Sequence, residues 1–239
     1  MSKPYKHIAE LYAHLMKFIS YDEWAEYYLT ITGKIPVDVK VLELASGNCK
    51  MAAYLRVHYP DLIATDLSID MLKQAGKKDL LKVCCDMSVL PFKGNFGLIF
   101  CAFDSVNYLL TKTALNKMFR GIKNLLTDDG IFTFDVSLER NSIKNIKYLN
   151  RRGFFGTMKY IQKSDYDKRT RIHTNRFTLM FKDGSVVEEI HRQKIYPLEM
   201  YFELLENNGL YVRNCYEAFT IDDINDKADR AQFVVSKRG

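Results

Sequence analysis

Short apolar segments alternate regularly with helical segments between Asp38 and Asp135. The first of them, residues 38–44, is β-branched and apolar with polar edges, which is typical of a strand buried in a parallel sheet. Parallel neighbours need a crossover of a dozen or more residues, usually a helix. The alternation therefore predicts a doubly wound α/β sheet that binds ligands at the carboxyl ends of its strands. The other predicted strands are residues 61–65, 80–85, 96–102 and 130–134, and the predicted helices are 51–58, 68–76 and 113–126.

The flanks of this alternating region complete the predicted fold. Residues 5–32 place apolar side chains at helical spacing, which predicts two amphipathic helices broken around Ser20. Near the other end, Pro197 opens a predicted helix that is followed by two closing strands, residues 209–216 and 230–236. The order helix, strand, strand is typical of a sheet finished by a reversed hairpin. We therefore predict seven strands, six of them parallel and the last antiparallel.

The period of the apolar residues changes from helical to alternating past residue 138, which predicts a small antiparallel β insert over residues 138–196. Asp183 and Gly184 form a tight turn between two of its strands. The main α/β domain then comprises residues 1–137 and 197–239, with the first two helices as a cap. The strands predicted for the insert are residues 154–162, 171–181 and 185–196.

Composition excludes several other classes of protein. Residues 1–5 lack the run of roughly 7–15 apolar residues of a signal peptide, and no stretch approaches the roughly 20 residues that span a bilayer. The five cysteines include no C-x-x-C pair and are typical of small buried side chains in a reducing compartment. Histidines and carboxylates show no metal-ligand spacing. We expect a cytoplasmic protein without a membrane span or a metal.

The charge balance is mildly basic. Lys and Arg number 35 against 29 Asp and Glu, a net charge of +6, which favours an anionic partner through the long-range field. The densest basic stretch, residues 144–171, is interrupted by aromatic residues and two aspartates. We interpret this stretch as a solvated face, and a nucleic-acid patch is the less favoured alternative.

Acidic or small residues follow each of the first four predicted strands. A turn of small residues lets the backbone approach a ligand closely. A carboxylate at the end of the second strand can accept both ribose hydroxyls of an adenosine. The first turn lacks the G-x-G-x-x-G pattern that seats a pyrophosphate, which argues against NAD or FAD. The positions are Glu43 with Ala45, Ser46 and Gly47, then Asp66, Asp86 and Asp104.

Three of these segments, V-L-E-L-A-S-G-N-C, T-D-L-S-I-D-M-L and C-C-D-M-S-V-L-P-F, resemble successive motifs of the class I S-adenosylmethionine-dependent methyltransferases. The resemblance implies a Rossmann-like fold with S-adenosyl-L-methionine as cofactor. Of the family's G-x-G-x-G loop only the middle glycine is present, because Ala45 and Cys49 replace the others. The resemblance implies cofactor contacts from Glu43, Ala45, Ser46, Gly47, Asp66 (ribose), Leu67 and Met71 (adenine faces), Asp86 and Met87 (adenine edge) and Phe103.

The acceptor side resembles the small-molecule branch of that family, the methyltransferase type 11/25-like enzymes. The segment C-A-F-D-S-V-N-Y-L-L is similar to the branch's motif after the fourth strand, and E-E-I-H-R-Q-K-I-Y to its strand that covers the acceptor. His191 and Gln193 share one face of that strand, because side chains alternate. The resemblance implies catalytic roles for His191 and Asp104 and substrate contacts from Asn107, Tyr108 and Gln193. For His191 a purely structural role is the alternative.

The N-terminal segment also resembles this branch, whose first helices fold over the cofactor. Tyr12, Tyr21 and Trp24 are the aromatic residues implied to lie beside the cofactor. An aromatic face beside a cation such as a sulfonium is favourable by about 0.5–2 kcal/mol. The alternative is that these rings belong to the core, and for Trp24 the two interpretations are equally supported.

The resemblance implies methyl transfer to nitrogen or oxygen of a small-molecule acceptor by in-line displacement. Such a reaction needs alignment of the reactants, exclusion of water and, for some acceptors, a general base. We expect a monomer or homodimer without a nucleic-acid or membrane partner, since the Pro-Pro and Pro-Cys signatures of nucleic-acid methyltransferases are absent after the fourth strand. Two alternatives stay open: a catalytically inactive S-adenosylmethionine-binding protein, suggested by the altered glycine loop, and an RNA methyltransferase, suggested by the basic balance.

Overall fold

A computed structural model describes residues 5, 7–33, 35–76 and 80–238. In chain order the strands are β1 (Val41–Leu44), β2 (Leu62–Asp66), β3 (Leu81–Cys84), β4 (Phe96–Cys101), β5 (Leu126–Ser137), β6 (Arg151–Phe155), β7 (Met158–Asp167), β8 (Ile172–Met180), β9 (Val186–Lys194), β10 (Leu210–Glu217) and β11 (Arg230–Lys237). The helices are α1 (Ala9–Leu15), α2 (Tyr21–Thr32), α3 (Lys50–Leu55), α4 (Ile69–Gln74), α5 (Lys112–Leu125), α6 (Glu139–Leu149) and α7 (Leu198–Asn207), and a 3-10 turn spans Ser105–Tyr108.

Seven strands form one sheet in the order β10-β11-β5-β4-β1-β2-β3. All neighbours are parallel except β11, which runs antiparallel to both β5 and β10. This arrangement confirms the predicted Rossmann-like fold with six parallel strands and an antiparallel last strand. Strands β1 and β4 are adjacent at the centre, where the chain winds outward in both directions. A crevice therefore lies beyond the carboxyl ends of these two strands.

Two apolar layers cover the sheet. Helix α5 presents buried residues at spacings of three and four, from Leu115 to Leu125, which is the stripe expected of a helix packed on one face. On this face the rings of Phe132, Phe134 and Phe233 stack across β5 and β11. Helices α2 and α3 pack on the opposite face. The central strands β1 and β4 are buried along their whole length, which holds their carboxyl ends rigidly.

The second sheet is antiparallel, in the order β6-β7-β8-β9. It contains four strands where the sequence predicted three, because the chain turns at Gly156, which has a φ of +58°, within the segment predicted as one strand. Helix α6, between β5 and this sheet, was not predicted. It is polar overall, and Ser142 is its only buried residue, so few buried apolar side chains mark it in the sequence.

The N-terminal cap bridges the two sheets. Ile8 and Leu11 pack against Phe177 and Leu179 of the second sheet. Helix α2 packs instead on the seven-stranded sheet, where the Tyr28 ring lies 5.6 Å from that of Phe100. The cap therefore closes the space between the sheets from one side. Among the described residues, no helix is both long and apolar enough to cross a membrane.

Candidate functional site

A cavity of about 570 Å³ lies between the carboxyl ends of the parallel strands, the N-terminal cap and the inner face of the second sheet. Its volume is within the range of about 300–1,000 Å³ that is typical of small-molecule sites. Fourteen residues singled out from the sequence line it: Tyr12, Trp24, Ala45, Gly47, Asp66, Leu67, Met71, Asp86, Met87, Phe103, Asp104, Tyr108, His191 and Gln193. Tyr21, Glu43, Ser46 and Asn107 do not line it.

The loop after β1 and the end of β2 form one hydrogen-bonded unit. The carboxylate of Asp66 accepts hydrogen bonds from the backbone N–H of Gly47, at 2.8 Å, and of Ser68, at 2.7 Å. Burial raises the pKa of Asp66, while these two hydrogen bonds oppose the rise. A Cβ at position 47 would lie 3.2 Å from the Cε of Met71, and the φ of Gly47 is +56°. Glycine therefore keeps the backbone beside the cavity free of side-chain bulk.

The two positions at which the family's glycines are replaced retain a glycine-like backbone. Ala45 and Cys49 have φ angles of +51° and +58°. A left-handed conformation costs a residue with a Cβ about 1–2 kcal/mol. Ser46 stabilises this loop, because its backbone N–H and its hydroxyl both donate to the carbonyl oxygen of Thr65, at 2.7 and 2.9 Å. The structure thus places Ser46 as a support of the loop and not on the cavity wall.

Glu43 is buried within β1, and one of its carboxylate oxygens has no hydrogen-bond partner among the described residues. Burial raises its pKa well above the ordinary value, and the nearby charge of Asp66 acts in the same direction. The direct cofactor contact predicted for Glu43 does not agree with the structure, because the side chain is buried and does not line the cavity. Sequence position alone did not distinguish a carboxyl at the strand end from one inside the strand.

The aromatic residues of the cap pack around Phe103. The Trp24 and Tyr21 rings lie 4.3 and 5.4 Å from the Phe103 ring, between centroids. Trp24 also contacts Phe219, at 4.3 Å, and lines the cavity, so it is at once a core residue and a wall residue. Tyr21 is buried behind it, and burial raises its pKa to about 12. Both interpretations made for Trp24 from the sequence therefore describe part of its position.

Asp104 lies in a largely buried ionic cluster, on the cavity wall, that the sequence did not reveal. Arg230 of β11 approaches Asp104 at 3.4 Å and donates to Asp135 of β5. Asp135 also accepts the backbone N–H of Asp104, at 2.8 Å. Burial raises the pKa of both carboxyls, and the Arg230 charge opposes the rise. Asp104 thus forms an ion pair with Arg230, which occupies its carboxylate. It is therefore a weaker candidate for the general base than the sequence suggested.

This cluster also fixes a strained turn on the cavity wall. Phe103 and Asp104 both have left-handed backbones, with φ of +60° and +48°. Such conformations persist only where the surroundings over-determine them, and they concentrate at functional sites. Asp135 and Arg230 supply that constraint from two neighbouring strands. No spacing rule connects residues 104, 135 and 230, because only the tertiary fold brings them together.

His191 stands in a chain of hydrogen bonds on the second sheet. Its Nε2 lies 2.9 Å from a carboxylate oxygen of Glu189, and its Nδ1 lies 3.4 Å from the hydroxyl of Tyr108. The Tyr108 hydroxyl is in turn 2.7 Å from that of Tyr5. The other oxygen of Glu189 accepts the backbone N–H of His7, at 2.8 Å. Burial raises the pKa of Glu189, but the hydrogen bonds from His191 and His7 outweigh it, and the pKa is lowered.

Glu189 was not singled out from the sequence, although a signal for it exists. Residues two apart on a strand share a face, so Glu189 and His191 point the same way on β9. A carboxylate bonded to an imidazole fixes its tautomer and orientation and stabilises its protonated form. His191 lines the cavity and its Nε2 is taken by Glu189, so Nδ1, whose contact with the Tyr108 hydroxyl is the longer one at 3.4 Å, is the nitrogen at which the pair can accept a proton.

Asn107 has a structural role that differs from the predicted substrate contact. Its side chain is fully buried, donates to the carbonyl oxygens of Lys194, at 2.8 Å, and Ser137, at 3.3 Å, and accepts the Ser137 backbone N–H at 2.9 Å. It therefore joins the 3-10 turn to the ends of β5 and β9. Gln193, by contrast, lines the cavity and donates to the carbonyl oxygen of Asp104 at 3.4 Å.

A second polar group on the cavity wall was also missed. Arg151 of β6 donates through Nε to the side-chain oxygen of Gln162, at 2.8 Å, and Gln162 donates to Asn175, at 3.1 Å. All three side chains line the cavity at the second sheet. Within the described residues, no group of three or more His, Cys, Asp or Glu side chains is arranged to hold a metal ion.

Comparison with known proteins places this geometry in context. Residues 41–130 match a family model described as a methyltransferase domain. The chain is 27% identical over 245 residues to YqeM of Bacillus subtilis strain 168, a candidate methyltransferase by name, with 98% of this chain and 97% of YqeM covered. The crystal structure of an S-adenosylmethionine-dependent methyltransferase from Clostridium acetobutylicum is similar, with a TM-score of 0.80, 22% identity and coverage of 98% and 99%. The sugar N-methyltransferase KedS8 from a Streptoalloteichus species gives a TM-score of 0.75 at 16% identity, with coverage of 100% and 96%.

Proposed function

We propose that the chain is a class I S-adenosylmethionine-dependent methyltransferase that transfers a methyl group to a nitrogen or oxygen atom of a small molecule. The match of residues 41–130 to a methyltransferase-domain family model supports this proposal. One observation carries the proposal: a single cavity extends from the acids at the ends of the parallel strands to His191 and Tyr108 beneath the second sheet. Cofactor and acceptor therefore share one enclosed space. The similarity of the fold to a sugar N-methyltransferase supports a small acceptor.

The residues around the β1 loop fit S-adenosyl-L-methionine. Asp66 is held by two backbone N–H groups and borders the cavity, so its free lone pairs can accept ribose hydroxyls. Gly47 leaves space that a Cβ would fill, while Leu67 and Met71 supply apolar surface for a purine. When bound, the cofactor supplies a methyl group activated by a positively charged sulfur.

The chain's own residues then position the acceptor and exclude water. Trp24 and Phe103 supply an aromatic wall on the cofactor side of the cavity. His191 is the group we assign to accept a proton from the acceptor at Nδ1, while Nε2 donates to Glu189, which stabilises the imidazolium that forms. The contact of Nδ1 with the Tyr108 hydroxyl is long, at 3.4 Å, and the acceptor takes its place when it binds.

The test is calorimetry with S-adenosylmethionine followed by measurement of S-adenosylhomocysteine formation with a panel of small amines and alcohols. We expect saturable cofactor binding and turnover with at least one acceptor that carries a nucleophilic nitrogen or oxygen. Absence of cofactor binding by a folded protein would remove the proposal. Turnover with RNA and with no small acceptor, together with steeply salt-dependent RNA binding, would replace it by an RNA methyltransferase.

A second candidate function is cofactor binding without catalysis. It is favoured by the β1 loop, in which Ala45 and Cys49 occupy left-handed positions that glycine adopts at lower cost. This candidate shares the predicted cofactor affinity and differs in turnover. Cofactor binding with no S-adenosylhomocysteine formed across the whole panel would favour it over the enzyme.

Glu189→Gln tests the assigned proton acceptor. We expect kcat to fall by about 10- to 100-fold with little change in KM, because the amide leaves the imidazolium of His191 without a counter-charge. The measurement is steady-state turnover with the acceptor identified in the panel, over a range of pH. Glu188→Gln is the matched control, since that side chain is exposed and pairs with Arg176 on the outer face of the sheet. Equal kcat in both variants would remove the role given to Glu189.

A further inference from the structure

The part of the cavity beneath β6 and β7 contains an arginine that the proposed reaction does not use. Arg151 is partly buried, lines the cavity and donates one hydrogen bond, from Nε to Gln162. Gln162 is itself buried and is held by Asn175 on the next strand. The guanidinium is therefore fixed in orientation by neutral groups, and its position does not depend on any carboxylate.

The charge of Arg151 has no acidic partner among the described residues. The other arginine on the cavity wall, Arg230, is paired with Asp104 and Asp135. A guanidinium carries five N–H donors in a fork, and Nε accounts for one of them at Arg151. The Nη donors have no partner within residues 5, 7–33, 35–76 and 80–238. A positive charge without a carboxylate partner thus borders the cavity, and an anionic group that enters there can form charge-assisted hydrogen bonds with the Nη donors.

The sheet register gives the position of this charge relative to His191. Gln162 lies on β7, Asn175 on β8 and His191 on β9, with Asn175 directly opposite His191. Gln162 is opposite Phe177 and, through it, Glu189, which is two residues along the strand from His191. With strands about 4.8 Å apart and residues about 3.3 Å apart along a strand, the guanidinium over β7 and the imidazole over β9 are separated by about 12 Å. One small molecule can span this distance.

We propose that Arg151 binds an anionic group of the methyl acceptor, a carboxylate or a phosphate, on the opposite side of the cavity from His191. Carboxylate and phosphate both match the planar fork of a guanidinium in a bidentate arrangement. Asn175 and Gln162 position the fork, and Arg151 selects acceptors by charge. The inference rests on the proposed methyltransferase function and adds the chemical class of its substrate.

The experiment uses two pairs of synthetic amines that span about 10 Å and differ only in charge at the far end. The first pair is 8-aminooctanoate and 8-aminooctanamide, and the second is 8-aminooctyl phosphate and 8-amino-1-octanol. Binding of each is measured by calorimetry to the full chain saturated with S-adenosylhomocysteine. The two pairs separate a carboxylate site from a phosphate site.

We expect at least one anionic probe to bind about tenfold or more tightly than its neutral partner. Arg151→Met should abolish that preference, and Arg151→Lys should retain only part of it, because an ammonium lacks the fork. Arg152→Met is the matched control: the side chain is the next one along β6, exposed and outside the cavity, and its loss should leave the preference intact.

Three outcomes would overturn the inference: equal binding of charged and neutral probes, a preference that Arg151→Met retains, or failure of all four probes to bind. Each is separable from failure of the proposed function. Binding of S-adenosylhomocysteine by the wild type and by Arg151→Met is measured first. If the wild type does not bind it, the result contradicts the proposed methyltransferase function and not the role of Arg151. Retained cofactor binding in Arg151→Met also shows that the variant folds.

Discussion

Replacement of Asp66 by alanine is expected to weaken S-adenosylmethionine binding by about 100-fold or more. The substitution removes a charged acceptor for the ribose hydroxyls. It also leaves the backbone N–H groups of Gly47 and Ser68 without the oxygen atoms to which they donate. Cofactor affinity therefore falls both through the lost contact and through loosening of the β1 loop. The measurement is calorimetric titration of the folded variant with S-adenosylmethionine.

Asp70→Ala is the matched control for this experiment. Asp70 lies in the first turn of α4, outside the cavity, and makes a surface ion pair with Lys73. Its loss should change cofactor affinity by less than about twofold. Asp66→Asn adds a second comparison, because the amide oxygen can still accept a backbone N–H while the charge is absent. Undiminished binding by Asp66→Ala would contradict the ribose role of this carboxylate.

Arg230→Met is expected to lower the free energy of unfolding by about 3–5 kcal/mol, because it leaves the fully buried Asp135 and the partly buried Asp104 without their counter-ion. Asp135 is fully buried, and Asp104 is held beside it by the strained turn. The measurement is equilibrium denaturation of wild type and variant in urea. Arg238→Met is the control, since its ion pair with Glu206 is exposed on both sides and should contribute under about 1 kcal/mol.

The deficit of Arg230→Met should depend on pH in a defined direction. Burial already raises the pKa of Asp104 and Asp135 in the wild type, and loss of the arginine charge raises it further. A carboxyl whose pKa is higher in the folded than in the unfolded state stabilises the fold at low pH and loses that contribution as the pH rises. The variant should therefore approach wild-type stability more closely at about pH 5 than at about pH 7.5. An unchanged gap would argue against this cluster as the cause.

The alternating pattern of residues 38–135 was sufficient to predict the parallel sheet, because each buried strand and each amphipathic helix has a local signal. The antiparallel last strand was predicted from the order helix, strand, strand. Helix α6 was missed, since it is polar overall and covers little apolar surface. Strand β6 was missed because Gly156 and its neighbours turn the chain inside a run that alternates throughout.

The sequence located those cavity-lining residues whose position depends only on the end of a single strand. Asp66 is the last residue of β2, Asp86 comes two residues after β3, and both line the cavity. Residues that act through partners distant in the chain carry no such signal: Asp135 with Arg230, and Gln162 with Arg151. Asn107 illustrates the opposite error, because the motif that contains it does not reveal which side chains point inward. Its amide stabilises the turn instead.

The contacts of the N-terminal segment have a consequence for synthesis on the ribosome. The hydrogen bond from His7 to Glu189 joins residues 182 positions apart, and that between Tyr5 and Tyr108 joins residues 103 apart. This segment precedes β9 in the chain and thus finds its final partners only after β9 has been translated. Nascent chains that end before this strand lack an enclosed cavity and expose the apolar side chains of Ile8 and Leu11. Closure of the site is therefore a late event in the production of each molecule.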